Sequence, residues 1–227
     1  MAIAFQNSTG LRIATAASTW SIPVQTGLTG GGFLAVGVSF PSSNVSVSTM
    51  TDNVGNTFTL AKRAAGTPAI SAELWYAANI SSGSTRIEIG VSALSSGTMA
   101  VGHWTGVKTA SPLLVTGSSQ AAASSGAKTA SVITPTEDNA LVVMYAGIGA
   151  AVVVSTGSGL SIWNSTAATN RAFGEYVIQT TATATDGPYS VDASAAHAEA
   201  IAAFGQQAAG GATTAPRLWR SGLLGVQ

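Results

Sequence analysis

Residues 45–91 read VSVSTMTDNVGNTFTLAKRAAGTPAISAELWYAANISSGSTRIEIGV, and this stretch decides the fold. Val45 and Val47 alternate with Ser46 and Ser48, the period-2 pattern of a strand with one buried face. A polar turn follows, Asp52-Asn53-Val54-Gly55-Asn56. Asp and Asn close turns through their own side chains, and glycine tolerates positive φ. Residues 57–61 then resume as a strand, so 45–51 and 57–61 are expected to form a hairpin. Residues 73–79 and 85–91 repeat the arrangement across Ser81-Ser82-Gly83, a second expected hairpin. In the last segment Ile87, Ile89 and Val91 share one face, opposite Arg86 and Glu88, as in a half-solvated antiparallel strand.

Outward from this stretch, strand segments recur at short spacing with turn residues between them, the pattern of a sandwich or barrel. On the N-terminal side we read strands at 2–5, 11–15, 19–22 and 33–40, the last a central one ended by Pro41. On the C-terminal side we read them at 99–107, 129–133, 141–146, 160–163, 172–179 and 189–193. The alanines of HAEAIAAF, residues 197–204, favour helix in isolation, but the β surroundings make it the closing strand. The apolar run 140–154 is short of the ~20 residues that span a bilayer. It reads as a buried strand, a glycine-marked turn and the start of another. No internal repeat of fixed period stands out. The expected architecture is therefore all-β: one antiparallel, jelly-roll-like sandwich over residues 1–205. Residues 206–227 follow as a linker-like stretch, QQAAGGATTAP, and an extended C-terminal peptide.

Charge is the compositional outlier. Nine basic and nine acidic side chains cancel, and charged residues make up 8% of the 227, against about 25% in ordinary domains. A basic nucleic-acid footprint is missing. Cysteine is absent, which removes disulfides and thiolate metal sites. Residues 1–14 lack the basic and then apolar pattern of a secretion signal. A neutral, hydroxyl-rich surface on a chain that is 46% hydrophobic risks self-association. Two readings stay open: a surface covered in an assembly, or a bland extracellular-type β protein.

Catalytic constellations are hard to assemble from these residues. There is no G-x-S-x-G elbow beside the two histidines, His103 and His197. His103 lies in register with Met99 and Val101 and reads as a satisfied core or interface residue. His197 and Glu199 share a strand face two apart and read as a solvated edge ahead of a polar pair. The acids Asp52, Glu73, Glu88, Glu137, Asp138, Glu175, Asp186, Asp192 and Glu199 are scattered, whereas glycoside hydrolysis needs two across a cleft. Asp52 with Asn53 and Asn56, and Glu137-Asp138-Asn139, are the best calcium candidates and read as polar turns. GLTGGGF lacks the lysine of a phosphate loop. The sequons at Asn7, Asn44, Asn79 and Asn164 are what chance gives in a chain this rich in Ser and Thr. Trp20, Trp75, Trp104 and Trp163 fall inside strands and read as core. No catalytic, cofactor or metal residue is assigned. Trp219 differs: it lies beyond the linker between Arg217, Leu218 and Arg220, ahead of Leu223 and Leu224. Trp and Arg are typical interface anchors, so these six residues are the candidate partner-docking peptide.

The run TDNVGNTFTLA (51–61), followed by LWYAANISSGSTRIEI (74–89), resembles a widespread β-sandwich family. In that family a D-x-x-GNT-x-T hairpin precedes LWYA-x-N-x-x-x-G and an alternating strand. MAIAFQNSTG at the start and VGHWTGV (101–107) fit the same pattern, so the likeness spans residues 1–204. His103-Trp104 stands where the family often carries an acidic–aromatic pair, so a role for that carboxylate does not carry over. Such domains occur in tailed-bacteriophage virion proteins and in some bacterial surface proteins. The resemblance implies a non-enzymatic structural protein of the virion, assembled in the host cytoplasm without cofactors. A capsid decoration (cement) protein is the first expectation. A tail or collar fibre component, or a receptor- or glycan-binding module, is the alternative. Implied partners are other copies of the chain, as a homotrimer in many relatives, and virion proteins such as the major capsid protein. Neither nucleic acid nor membrane is expected, and a glycan or host receptor stays open.

Overall fold

The computed structural model describes residues 1–24, 27–66, 69–165 and 170–208. Twelve strands and no helix occur among them: β1 (Ala4–Pro23), β2 (Phe33–Phe40), β3 (Val47–Asp52), β4 (Thr59–Ala65), β5 (Ser71–Ala78), β6 (Arg86–Thr105), β7 (Leu113–Lys128), β8 (Ala140–Val152), β9 (Val154–Thr156), β10 (Ser161–Ser165), β11 (Asn170–Gln179) and β12 (Tyr189–Phe204). They form two antiparallel sheets. One has the order β1-β6-β2-β5-β4 with β3 also on β6; the other has β10-β11-β8-β12-β7 with β9 also on β12. The chain is thus the all-β antiparallel sandwich its alternation predicts. Each sheet comes from one contiguous half of the chain, so the jelly-roll likeness stops at two packed antiparallel sheets.

The two halves have the same topology. Adding six to every strand number of the first sheet gives the second, down to the accessory strand. Most of the irregularities coincide as well. β4 slips on β5 between Leu60 and Lys62, after Leu60 pairs with Trp75; β10 slips on β11 between Ile162 and Asn164, after Ile162 pairs with Glu175. Ser95 makes a lone pair with Ala17 between two bulges, and Ala195 does the same with Ser124. Position n of β5 and β6 thereby matches n+100 of β11 and β12, with Tyr76 on Tyr176 and Val91 on Val191. The facing strands obey the same exchange: β1 lies against β10 as β7 lies against β4, while β2 lies against β8. That is the arrangement a twofold axis between β2 and β8 produces. The repeat is one of topology and bulges, with few shared residues, which is why no sequence period reveals it.

Three cores follow from this plan. Between the sheets, Phe33, Ala35, Leu74, Ala100 and Trp104 of one half meet Leu141, Val143, Tyr145, Ala200 and Phe204 of the other. Each half also has its own core on the outer face of its sheet, because β6 and β12 are long and carry an accessory strand at one end. Trp20, Leu34, Val36, Val38, Ile89 and Met99 fill the first; Val142, Met144, Ile148, Phe173, Val191 and Ile201 fill the second. Central strands are therefore buried on both faces, as FLAVGVSF in β2 illustrates, and they read as continuous apolar runs.

Several local expectations change. Neither expected hairpin exists. β3 pairs with β6, β4 with β5, and β5 with β2, so the tight hairpin of this region is β4–β5. The polar turn after β3 does not fold back because its side chains are spent on the 81–85 turn, as described below. Segments 2–5, 11–15 and 19–22 fuse into β1, and 85–91 with 99–107 into most of β6, because bulges absorb the breaks in alternation. Segment 129–133 is not a strand, while the small-residue run LLVTGSSQAAASSGAK forms β7, an edge strand with little alternation to betray it. β8 continues through Gly147 without turning. A Cβ there would stand 2.7 Å from Cβ of Ser39, so this glycine marks a close approach of the two sheets. Segment 197–204 is strand, as the surroundings of HAEAIAAF imply.

Candidate functional site

The six docking residues Arg217, Leu218, Trp219, Arg220, Leu223 and Leu224 lie outside the described residues. The root of that tail is fixed: the Gln207 amide donates to the Gly106 carbonyl (2.8 Å), and the Met1 ammonium donates to the Gln207 carbonyl (3.0 Å).

The Asp52 turn is structural. Asp52 accepts from the amides of Val54 (3.2 Å) and Asn56 (3.0 Å) and from the Asn56 side chain (2.6 Å). Asn56 Oδ1 then accepts from the Ser81 amide, and Asn53 holds both Gly83 and Thr85. Burial alone would raise the Asp52 pKa, but hydrogen bonds from Asn56 and Val54 outweigh it and hold the carboxyl below its ordinary range. The carboxylate is saturated by protein donors, and no group of metal-ligating side chains occurs among the described residues.

His103 is buried, as its strand register predicts, but it is not satisfied. Neither ring nitrogen has a hydrogen-bond partner among the described residues, and burial holds its pKa down. Gly32 lies against it, with room for no side chain. Trp20, Trp104 and Trp163 are core residues. Trp75 is half-buried and donates to Glu73 at 2.8 Å.

A larger departure is the polar centre in the second half. His197 (4% exposed) and Glu199 (0%) are not a solvated edge, and Glu175 (0%) joins them on the outer face of the second sheet. Tyr189 and Lys128 close the group. His197 Nε2 lies 3.3 Å from Glu199 Oε1, Ser119 donates to Glu199 Oε2 at 3.3 Å, and the Gly157 amide donates to Glu175 at 3.0 Å. Lys128 Nζ donates to the Ser124 carbonyl at 2.6 Å. Burial pushes Glu199 up to about 8 and Glu175 up to about 7. Burial, with the Lys128 charge adding to it, pushes His197 down to about 4. At neutral pH the imidazole is therefore uncharged and Glu199 largely protonated, the usual escape from burying charge without full compensation.

The first half shows what the same positions hold when no polar centre is built. Trp20, Trp75, Ile89 and Met99 stand where Lys128, Glu175, Tyr189 and Glu199 stand in the second. The fold does not require these polar groups. The sequence did carry a signal: Glu199 shares a face with Ile201, while the opposite face is Ala198, Ala200 and Ala202. A strand apolar on both faces leaves no solvated side for Glu199.

A second polar feature sits at one end of the sandwich, where β1, β2, β6 and β8 meet. A cavity of about 250 Å³ opens there, with Arg12 as the one ionic lining residue among those described and Ser39 and Thr98 among its walls. Ser39 Oγ and Thr98 Oγ1 are 2.6 Å apart, and Thr98 Oγ1 is 3.0 Å from the Tyr145 hydroxyl. Sequence reasoning missed all four residues, because strand periodicity does not tell which edge residues meet across two sheets. Comparison with protein families, with curated proteins and with solved structures finds no match to this chain.

Proposed function

We propose that this chain is a non-enzymatic structural protein of a bacteriophage virion, a capsid decoration protein that associates with copies of itself and with the capsid, partly through residues 217–227. The observation that carries the assembly role is the pair of long, charge-poor sheet edges. Among the described residues β1 takes β6 as its one strand partner and β7 takes β12, and the outer row of β7 backbone groups meets no strand. Soluble proteins usually protect such edges with charge, proline or short length. Here Arg12 is the single charge on β1, and the single charge on β7, Lys128, is buried. A surface of this kind fits a lattice of neighbours. The virion assignment itself rests on the resemblance of residues 51–61 and 74–89 to phage β-sandwich proteins.

The test is incorporation. Particles assembled with the full chain and with a chain ending at residue 208 are compared for bound copies. Reduced occupancy of the shortened chain supports tail docking; normal occupancy removes it. Absence of the full chain from purified particles removes the virion role. A second reading, a receptor- or glycan-binding module, is favoured by one observation, the hydroxyl-lined cavity beside Arg12.

A further inference from the structure

We propose that the cavity beside Arg12 is a binding site for a compact polyhydroxylated carboxylate, a sugar acid of the size of a uronic acid. This rests on the glycan-binding reading and is independent of the assembly role.

The chemistry is set by what the two ends of the cavity offer. At the mouth stands Arg12, exposed on β1, with no ion-pair partner among the described residues. A guanidinium offers donors only, in a fork that matches a carboxylate. The floor has the opposite character. Ser39 and Thr98 line it with buried hydroxyls 2.6 Å apart, and Thr98 Oγ1 lies 3.0 Å from the buried Tyr145 hydroxyl. Two of the three hydroxyl protons are used in these two bonds, and the Ser39 and Thr98 oxygens keep acceptor capacity. The floor therefore accepts hydrogen bonds from a ligand's hydroxyls, while the mouth donates to its carboxylate. Ile13, Ile70 and Ile148 supply apolar walls. Among the described residues no aromatic ring lines the cavity, so recognition is by polar ends and not by stacking. A volume of about 250 Å³ lies below the ~300–1,000 Å³ typical of drug-sized ligands and suits one small ring.

The duplicated architecture supplies an internal comparison. On the opposite flank the positions matching Ser39, Thr98 and Tyr145 are Gly147, Ala198 and Gly37, all without hydroxyls. The position matching Arg12 is Gln120, whose side chain donates to the Ile70 carbonyl at 3.2 Å and lies over Gly66. One flank is tied shut by a neutral side chain. The other keeps a cavity with two buried hydroxyls and an arginine without an ion-pair partner among the described residues, none of which the fold demands.

The test is calorimetric titration of the full chain with D-glucuronate, D-glucose and acetate, repeated on Arg12→Ala and Thr98→Val. Saturable glucuronate binding is expected, with glucose and acetate each at least tenfold weaker. Arg12→Ala should weaken glucuronate by tenfold or more with an unchanged melting temperature, because Arg12 is exposed. Thr98→Val should weaken both sugars, because it removes one of the two lining hydroxyls. Equal binding of glucose and glucuronate, or wild-type affinity in Arg12→Ala, overturns the sugar-acid assignment and leaves a glycan site standing. Failure of both sugars to saturate overturns the assignment and the glycan-binding reading together.

Discussion

Glu199 on β12 stands where Met99 stands on β6: Met99 pairs with Val38 of β2, and Glu199 pairs with Ala146, the residue of β8 that matches Val38. One scaffold position is filled by a thioether in the first half and by a buried carboxyl in the second. The carboxyl is raised to about 8 from its ordinary 4.5, and Glu175 to about 7. A carboxyl with a raised folded pKa favours the folded state at low pH, and that stability is lost as pH rises through the folded value. His197 has the opposite sign, since its folded value is about 4 against 6.5, so its effect is complete above pH 6.5.

Between pH 6.5 and 8 the two carboxyls therefore act alone, and the protein should lose on the order of 2 kcal/mol of stability. Glu199→Gln should flatten most of that slope, and Glu199→Met, which copies the first half, should be as stable as wild type or more so at pH 8. Thermal unfolding across pH 5–8.5 checks this. A wild-type melting temperature that rises through the interval would show that Glu199 is ionised in the folded protein.

Gly37 lies beside the twofold relation between the halves. A Cβ built on it would meet the Tyr145 ring at 2.2 Å, far inside any real contact. Gly37→Ala should destabilise by about 3 kcal/mol or more, because the two sheets must separate or Tyr145 must leave its hydroxyl partners. Gly149→Ala is the control. Its nearest neighbours, at Ala196, stand 3.4 Å away, so a change within about 0.5 kcal/mol is expected. Urea unfolding of the two variants separates a close-packing role from a general intolerance of side chains on these strands.

The fold class was legible because strand alternation is a local property. Val45 to Val91 shows it plainly, and a two-sheet antiparallel core follows. Partner choice was not legible. Asp52-Asn53-Val54-Gly55-Asn56 looks like a hairpin turn, yet its side chains bind residues 81–85 and send β4 to β5 instead. The polar centre was missed because Glu175 and Glu199 are 24 positions apart and meet only when β11 and β12 flank β8. The duplication was missed because the two halves keep bulges and pairing and change nearly every side chain, Leu74 to Gly174 among them.

Asp52 gives a prediction about that turn. Asp52→Ala removes the acceptor for two amides and for Asn56, whose own side chain holds Ser81. The cost should be about 1–2 kcal/mol in urea unfolding, as for loss of a helix N-cap. Because hydrogen bonds hold the Asp52 carboxyl below its ordinary 3.8, its contribution is present above that pH and is lost as pH falls through the folded value. Added calcium should leave the wild-type melting temperature unchanged, since the carboxylate already has its donors. A calcium-dependent rise would show that the turn opens to a cation.

The open edge of β7 gives the last. Its residues 122–127 are exposed and carry no charge, and no neighbouring strand covers their outer side among the described residues. A lysine placed there lets the edge stay in water and makes pairing with another strand costly, because the ammonium must lose its hydration. Ala122→Lys should therefore shift the full chain toward monomer in size-exclusion chromatography with light scattering, with a melting temperature close to wild type. Ala122→Thr, uncharged and suited to a strand, should keep the wild-type assembly state. If Ala122→Lys assembles as fully as wild type, the edge of β7 is not the contact, and the tail beyond residue 208 or the matching edge of β1 must carry it.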